Sequence, residues 1–116
     1  MKMTGEAKLL RIFIGERDRL DHLPLYERII RLAREKGLAG ATVWRGVESY
    51  GAGSRIHTAK LLELSEDLPM VIEIVDTEEK IRNFIPFVDE LFEKSGGGGL
   101  VTMEKVEIIK YTQGNR

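Results

Sequence analysis

The sequence predicts an α+β fold: a ferredoxin-like βαββαβ sandwich, with an antiparallel sheet carrying two helices on one face. Three observations predict it. Short apolar, alternating runs recur along the chain. Two segments with apolar residues at helical spacing stand between the first and second runs and between the third and fourth. No repeat or linker divides the 116 residues, so 1–116 is read as one domain, with 112–116 a loose tail.

The first run is "KLLRIFI", residues 8–14. Leu10, Ile12 and Ile14 share one face, and Leu9, Arg11 and Phe13 share the other. Residues 15–22 read as a polar connection. Pro24 suits the first turn of a helix, where its missing N–H costs little. Leu25, Ile29, Leu32 and Ala33 then recur at helical spacing, and Gly37 is the expected left-handed cap. Glu27, Arg28, Arg31, Arg34 and Glu35 form the opposite, solvated face.

A second strand is expected over 41–50, broken by glycines. "IHTAKLLEL", 56–64, is ambiguous: strand alternation competes with a helical cluster of leucines, so an extra strand is possible there. "SEDLP" is a turn. "MVIEIVD", 70–76, is short, apolar and β-branched, hence a strand. Asp76 or Thr77 can cap the next helix, with Glu78 and Glu79 at its positive end. Ile81, Phe84, Ile85, Val88, Leu91 and Phe92 make its apolar stripe. Pro86 inside that stripe predicts a kink or a restart. "SGGGG" ends the helix, and the last strand is read as "VTMEKVEIIKY", 101–111.

With both helices on one sheet face, the other face would expose apolar side chains from several strands. A patch of that kind predicts a homo-oligomer packed through the open face. Trp44 is read as core or subunit interface rather than a platform for stacking a base.

Composition narrows the function classes. The chain is 42% hydrophobic and 32% charged, and 18 Lys+Arg nearly cancel 19 Asp+Glu. That balance exerts no general pull on nucleic acid or anionic membrane. The absence of cysteine excludes disulfides, thiolate metal sites and a cysteine nucleophile. "MKMTGEAKLLRIFIGERD" reads as neither a signal peptide nor a membrane span, so a cytoplasmic protein without direct membrane insertion is expected. The two histidines, His22 and His57, fall in different connections, which does not suit a metal site. No serine lies in a nucleophile elbow. The chain is therefore expected not to be an enzyme. RNA-binding modules share the element order but need stacking aromatics on central strands. Only Phe13 could serve, and Glu73 would repel phosphate.

Two glycine-rich stretches remain. "RGVESYGAGSRIHT", 45–58, sets Gly46, Gly51 and Gly53 among Arg45, Arg55 and His57. "GGGG", 96–99, lies between a helix and a strand. Successive glycine N–H groups can form a concave nest for an anion, but no Gly-Lys-Ser/Thr follows, so this is no Walker motif. From composition alone, a flexible helix-to-strand connection is the favoured reading of the run.

Three stretches, "GATVWRGVESYG", "RIHTAKLLELSEDLPMVIEIVD" and "GGGGLVTMEKVEIIKY", resemble an uncharacterised PII-like family of bacteria and archaea, catalogued as domain of unknown function one-ninety. The resemblance runs from about Leu9 to Tyr111. The family is similar to the PII signal-transduction proteins: ferredoxin-like trimers with nucleotides in clefts between subunits and a long loop that reaches partner proteins. The resemblance implies a regulatory homotrimer that binds a small ligand such as AMP, ADP or ATP and acts on an unknown protein partner through 51–68. Gly46 matches a PII glycine at the end of the second strand, and Gly51 marks the loop base. Glu73 matches a third-strand glutamate. Gly96, Gly97, Gly98 and Gly99 match the phosphate loop. Gly53 and Arg55 are further ligand candidates, and Ser54, Arg55 and His57 are candidate partner contacts. Two departures stand out. Leu100 follows the glycines where PII proteins carry a lysine, and Lys110 alone stands near the place of two arginines. Both reduce phosphate-neutralising charge. The alternative implied is a ligand-free oligomeric interaction module.

Overall fold

The computed structural model describes residues 4–50, 57–58 and 67–114. Four strands form the main sheet: β1 (Gly5–Gly15), β4 (Thr42–Arg45), β7 (Pro69–Asp76) and β8 (Leu100–Ile108). Two two-stranded ribbons complete the strands among the described residues. One pairs β2 (Arg19–Leu20) with β3 (Leu23–Pro24), and the other pairs β5 (Glu48–Ser49) with β6 (His57–Thr58). Helices α1 (Leu25–Glu35) and α2 (Glu78–Ser95) follow β3 and β7. The sheet order is β4-β7-β1-β8, antiparallel throughout. This is the expected ferredoxin-like arrangement.

Alternation in β1 and β7 sends one set of side chains under the helices. Leu10, Ile12, Ile72 and Ile74 are fully buried there against Ile29, Phe84 and Val88. Burying each such side chain contributes roughly 1.5–3 kcal/mol. Helix α1 ends in a Schellman motif: Leu38 N–H donates to Ala33 O, Gly37 N–H donates to Arg34 O, and Gly37 has φ 80°. At the start of α2, Thr77 Oγ1 accepts the Lys80 N–H at 3.3 Å. Gly96, with φ 70°, caps its far end.

Several boundaries differ from the pattern. The connection 15–22 holds the first half of the β2–β3 hairpin. Its central residues, Asp21 and His22, have φ of 53° and 69°, where Asn, Asp or Gly followed by glycine is the usual sequence signal. Pro24 closes that hairpin, and α1 begins at Leu25. The second strand stops at Arg45, where Gly46 packs against Pro69, and pairing resumes separately at Glu48. The last strand stops at Ile108 instead of 111 because the following residues leave the sheet. Helix α2 runs through Pro86 as one element, so there is no restart. Of the ambiguous 56–64, only His57–Thr58 is described, as strand. Residues 112–114 take no regular secondary structure. Among the described residues no helix is long and apolar enough to cross a membrane.

Candidate functional site on the open sheet face

The face of the sheet away from the helices carries Leu9, Arg11 and Phe13 from β1, Val71, Glu73 and Val75 from β7, and Thr42 and Trp44 from β4. Trp44 is 58% exposed within the chain, which corrects the core reading of this residue. Its indole Nε1–H donates to Glu73 Oε1 at 2.7 Å. Arg11 Nε donates to Glu73 Oε2 and Arg11 Nη1 donates to Glu104 Oε1, both at 2.7 Å. A polar belt thus crosses all four strands. The Arg11 hydrogen bond, and then that of Trp44, holds the Glu73 carboxyl below the usual carboxylate range. Glu73 in turn raises the Arg11 guanidinium above its ordinary value.

The belt divides the face. Phe13, Val71 and Leu100 lie towards the Gly15 end. Towards the Gly5 end lies a groove of about 710 Å³. Its floor is apolar, from Leu9, Val75, Val106 and Ile108. Arg11, Thr42 and Glu73 supply hydrogen-bonding groups, and Ala39–Ala41 form a wall. Residues 109–111 line the remaining side. An apolar slot with a few convergent polar groups suits a flat, partly polar small molecule.

The wall is held by hydrogen bonds to both sides of Ala39. Asp76, with no exposed surface, accepts the Ala39 N–H at Oδ2 (2.8 Å) and the Thr77 N–H at Oδ1 (2.7 Å). Tyr111 OH donates to Ala39 O at 2.6 Å.

The structure separates the residues singled out in the sequence into two groups. Glu73 and Lys110 line the groove. Gly46 and Gly96–Gly99 lie at the other end of the sheet. There Gly46 N–H donates to Pro69 O, and Leu100 stands opposite Phe13. The length of β8, roughly 27 Å at about 3.4 Å per step, separates the glycine run from the strap that carries Lys110. Gly51, Gly53, Ser54 and Arg55 lie outside the described residues. His57 pairs with Ser49 in the β5–β6 ribbon, at the root of that stretch.

The surroundings of the glycine run are specific. Gly96 N–H donates to Phe92 O, and Gly97 N–H donates to Ser95 Oγ. The run sits at the C-terminal, negative end of α2. The Asp18 carboxylate packs against Gly97, and Asp18 Oδ2 also accepts the Gly15 N–H at 3.1 Å. Burial, reinforced by nearby Asp67, raises the Asp18 carboxyl above its ordinary value against that hydrogen bond. Asp67 Oδ1 accepts the Arg17 N–H, and Glu16 N–H donates to Leu68 O. The Gly15–Asp18 turn therefore touches both the glycine run and the segment returning from the 51–66 stretch.

Arg11, Thr42, Ala39 and Tyr111 escaped the sequence reading as site residues. Arg11 carried a signal, as a charge inside an apolar strand. Tyr111 carried none, because its place beside Ala39 depends on where β8 ends.

A family model, DUF190, described as "Uncharacterized ACR", matches residues 7–108. A UPF0166 protein of Aquifex aeolicus is 42% identical over 104 residues, spanning 90% of this chain and 94% of its own. A UPF0166 protein of Methanocaldococcus jannaschii is 31% identical over 105 residues, again 90% and 94%. Among solved structures, CPII from Thiomonas intermedia K12, a nitrogen regulatory PII-like protein bound to ADP, AMP and bicarbonate, matches with a TM-score of 0.65 at 17% identity, covering 93% of this chain and 91% of that one. A putative PII-like signaling protein from Thermus thermophilus matches with a TM-score of 0.64 at 17% identity, covering 90% and 91%. At these identities the likeness is one of fold.

Proposed function

Because the chain belongs to the DUF190 family and has the fold of PII-like proteins, we propose that it is a cytoplasmic PII-like regulatory protein. In this reading it assembles as a homotrimer, binds an adenine nucleotide at subunit clefts, and acts on a protein partner through 51–68. One observation carries the placement of the site. Glu73 and Lys110 share a groove, whereas Gly46 and Gly96–Gly99 stand at the opposite end of the same sheet. A nucleotide touching both groups needs two copies of the chain, with the groove of one meeting the glycine end of the next. The exposed apolar residues of the open face, with Trp44 and Leu100 among them, favour such packing. The groove suits the base, and CPII, which shares the fold, is described as bound to ADP and AMP.

Calorimetric titration of the nucleotide-stripped protein with AMP, ADP and ATP, with and without magnesium, tests the proposal alongside mass measurement of the oligomer. Binding near one per subunit to a trimer is expected. Gly98 has open space where a side chain would start, so Gly98→Glu should fold normally. Nucleotide binding that survives Gly97→Asp combined with Gly98→Glu would count against the placement.

A second reading, a ligand-free oligomeric interaction module, draws on Asp18 beside Gly97 and on Leu100 after the glycines. It predicts an intact oligomer whose melting temperature no nucleotide raises. A ligand that binds only the native state must raise it.

A further inference from the structure

Residues 109–111 form a strap. Strand β8 is one edge of the main sheet and β4 is the other. Ala39 precedes β4, yet its carbonyl accepts the hydroxyl of Tyr111, which follows β8. The chain therefore crosses from one edge towards the other, over the end of the open face. Three inter-strand spacings amount to roughly 14 Å. Three residues beyond Ile108 extend at most roughly 11 Å, so the tyrosine side chain supplies the remaining reach. The anchor is rigid: Ala39 is held on its other side by the fully buried Asp76. The strap itself is not packed into the core, since Ile109 is 79% exposed. It is held by Tyr111, which is 39% exposed and whose hydroxyl makes the hydrogen bond to Ala39.

From this geometry we infer that the strap is a clasp on the groove, latched by the Tyr111–Ala39 hydrogen bond, and that the latch positions Lys110 at the groove for an anionic group of the ligand. Tyr111 is a positioning residue, acting through Lys110 and the closed wall. The inference rests on the nucleotide reading above and adds to it the element that controls release. Net hydrogen-bond strengths correspond to roughly two- to tenfold in the latched population. A clasp of that strength opens readily and still slows escape.

The test uses the full chain in its native oligomer, with ADP as probe and Trp44 fluorescence as reporter. Tyr111→Phe keeps the ring and removes only the donor, so it should fold as the native chain does. The ring at position 111 should become more mobile by NMR relaxation in this variant, since only its hydroxyl bond to Ala39 is removed. ADP should leave it roughly two- to tenfold faster, with unchanged stoichiometry. Lys110→Gln should weaken ADP binding, and adding Tyr111→Phe should cost much less than it does alone. A more mobile ring with an unchanged ADP release rate would overturn the clasp while leaving nucleotide binding in place. So would fully additive effects of the two substitutions. Absence of ADP binding to the native oligomer would overturn the nucleotide reading and the clasp together.

Discussion

Arg11 and Glu73 stand directly opposite one another on adjacent antiparallel strands, and the Arg11 Nε–H donates to the Glu73 carboxylate at 2.7 Å. The pair lies on the open face, with Trp44 on the second oxygen of Glu73 and Glu104 on the second arm of Arg11. An ion pair across the centre of an otherwise apolar face fixes where that face is polar, and so where the groove begins.

The pair is partly exposed, so solvent screening keeps its worth small. A double-mutant cycle of Arg11→Met and Glu73→Gln should return a small favourable coupling that shrinks with added salt. The folded Glu73 carboxyl lies below the ordinary carboxylate range. Its contribution is therefore fully present above the unfolded value, about 4.3, and is lost as pH falls through the lower folded value. Acid titration of stability should show Glu73→Gln losing its deficit relative to the native chain below about pH 4. A deficit that persists unchanged at pH 2 would refute the linkage.

Asp18 has the opposite sign. Burial raises its folded carboxyl above the unfolded value, so the charged form costs stability above the folded value. That cost is relieved as pH falls through the folded value towards the unfolded one. The melting temperature of Asp18→Asn relative to the native chain should therefore be more favourable at pH 7 than at pH 4. An equal or reversed difference would show that the hydrogen bond to Gly15 outweighs burial.

The glycine run contains one position under tight steric constraint. A Cβ at Gly99 would lie 2.5 Å from the Phe13 carbonyl oxygen and 2.8 Å from the Phe92 ring, whereas one at Gly98 meets nothing within 4 Å. Urea denaturation should show Gly99→Ala destabilised by about 1–3 kcal/mol and Gly98→Ala within about 0.5 kcal/mol of the native chain. Equal costs would mean that the turn relaxes around the added methyl.

Asp76 organises the groove wall from below. Asp76→Ala leaves the Ala39 N–H without its acceptor and should cost about 1–3 kcal/mol. Asp76→Asn, which keeps one acceptor oxygen, should cost less. Chemical denaturation of both variants measures the difference, and equal losses would assign the effect to packing rather than to the hydrogen bonds.

Much of the frame was legible because it rests on local chemistry. The stripe of α2 and its Thr77 and Gly96 ends reflect helical period and capping. The alternation of β1 and β7 reflects one buried face. The β2–β3 hairpin was missed because Asp21 and His22 take left-handed conformations that Asp and His adopt more often than most residues, yet no glycine follows Asp21 to mark the turn. The early end of β8 was equally hidden. Residues 109–111 alternate as a strand would, and the anchor that draws them away is Ala39, 72 positions from Tyr111 in sequence.

By itself, then, the sequence determined the order of the four main strands and two helices, the helix-covered core and the family, because periodicity, caps and quoted motifs are properties of neighbouring residues. Only the tertiary structure decided the site. It joined Arg11 to Glu73 across 62 positions and to Glu104 across 93. It also brought Lys110 into one groove with Glu73, 37 positions away, while the strand already expected between them kept it from Gly96–Gly99. Strand pairing sets which distant residues share a face, and strand length sets how far apart near ones end up.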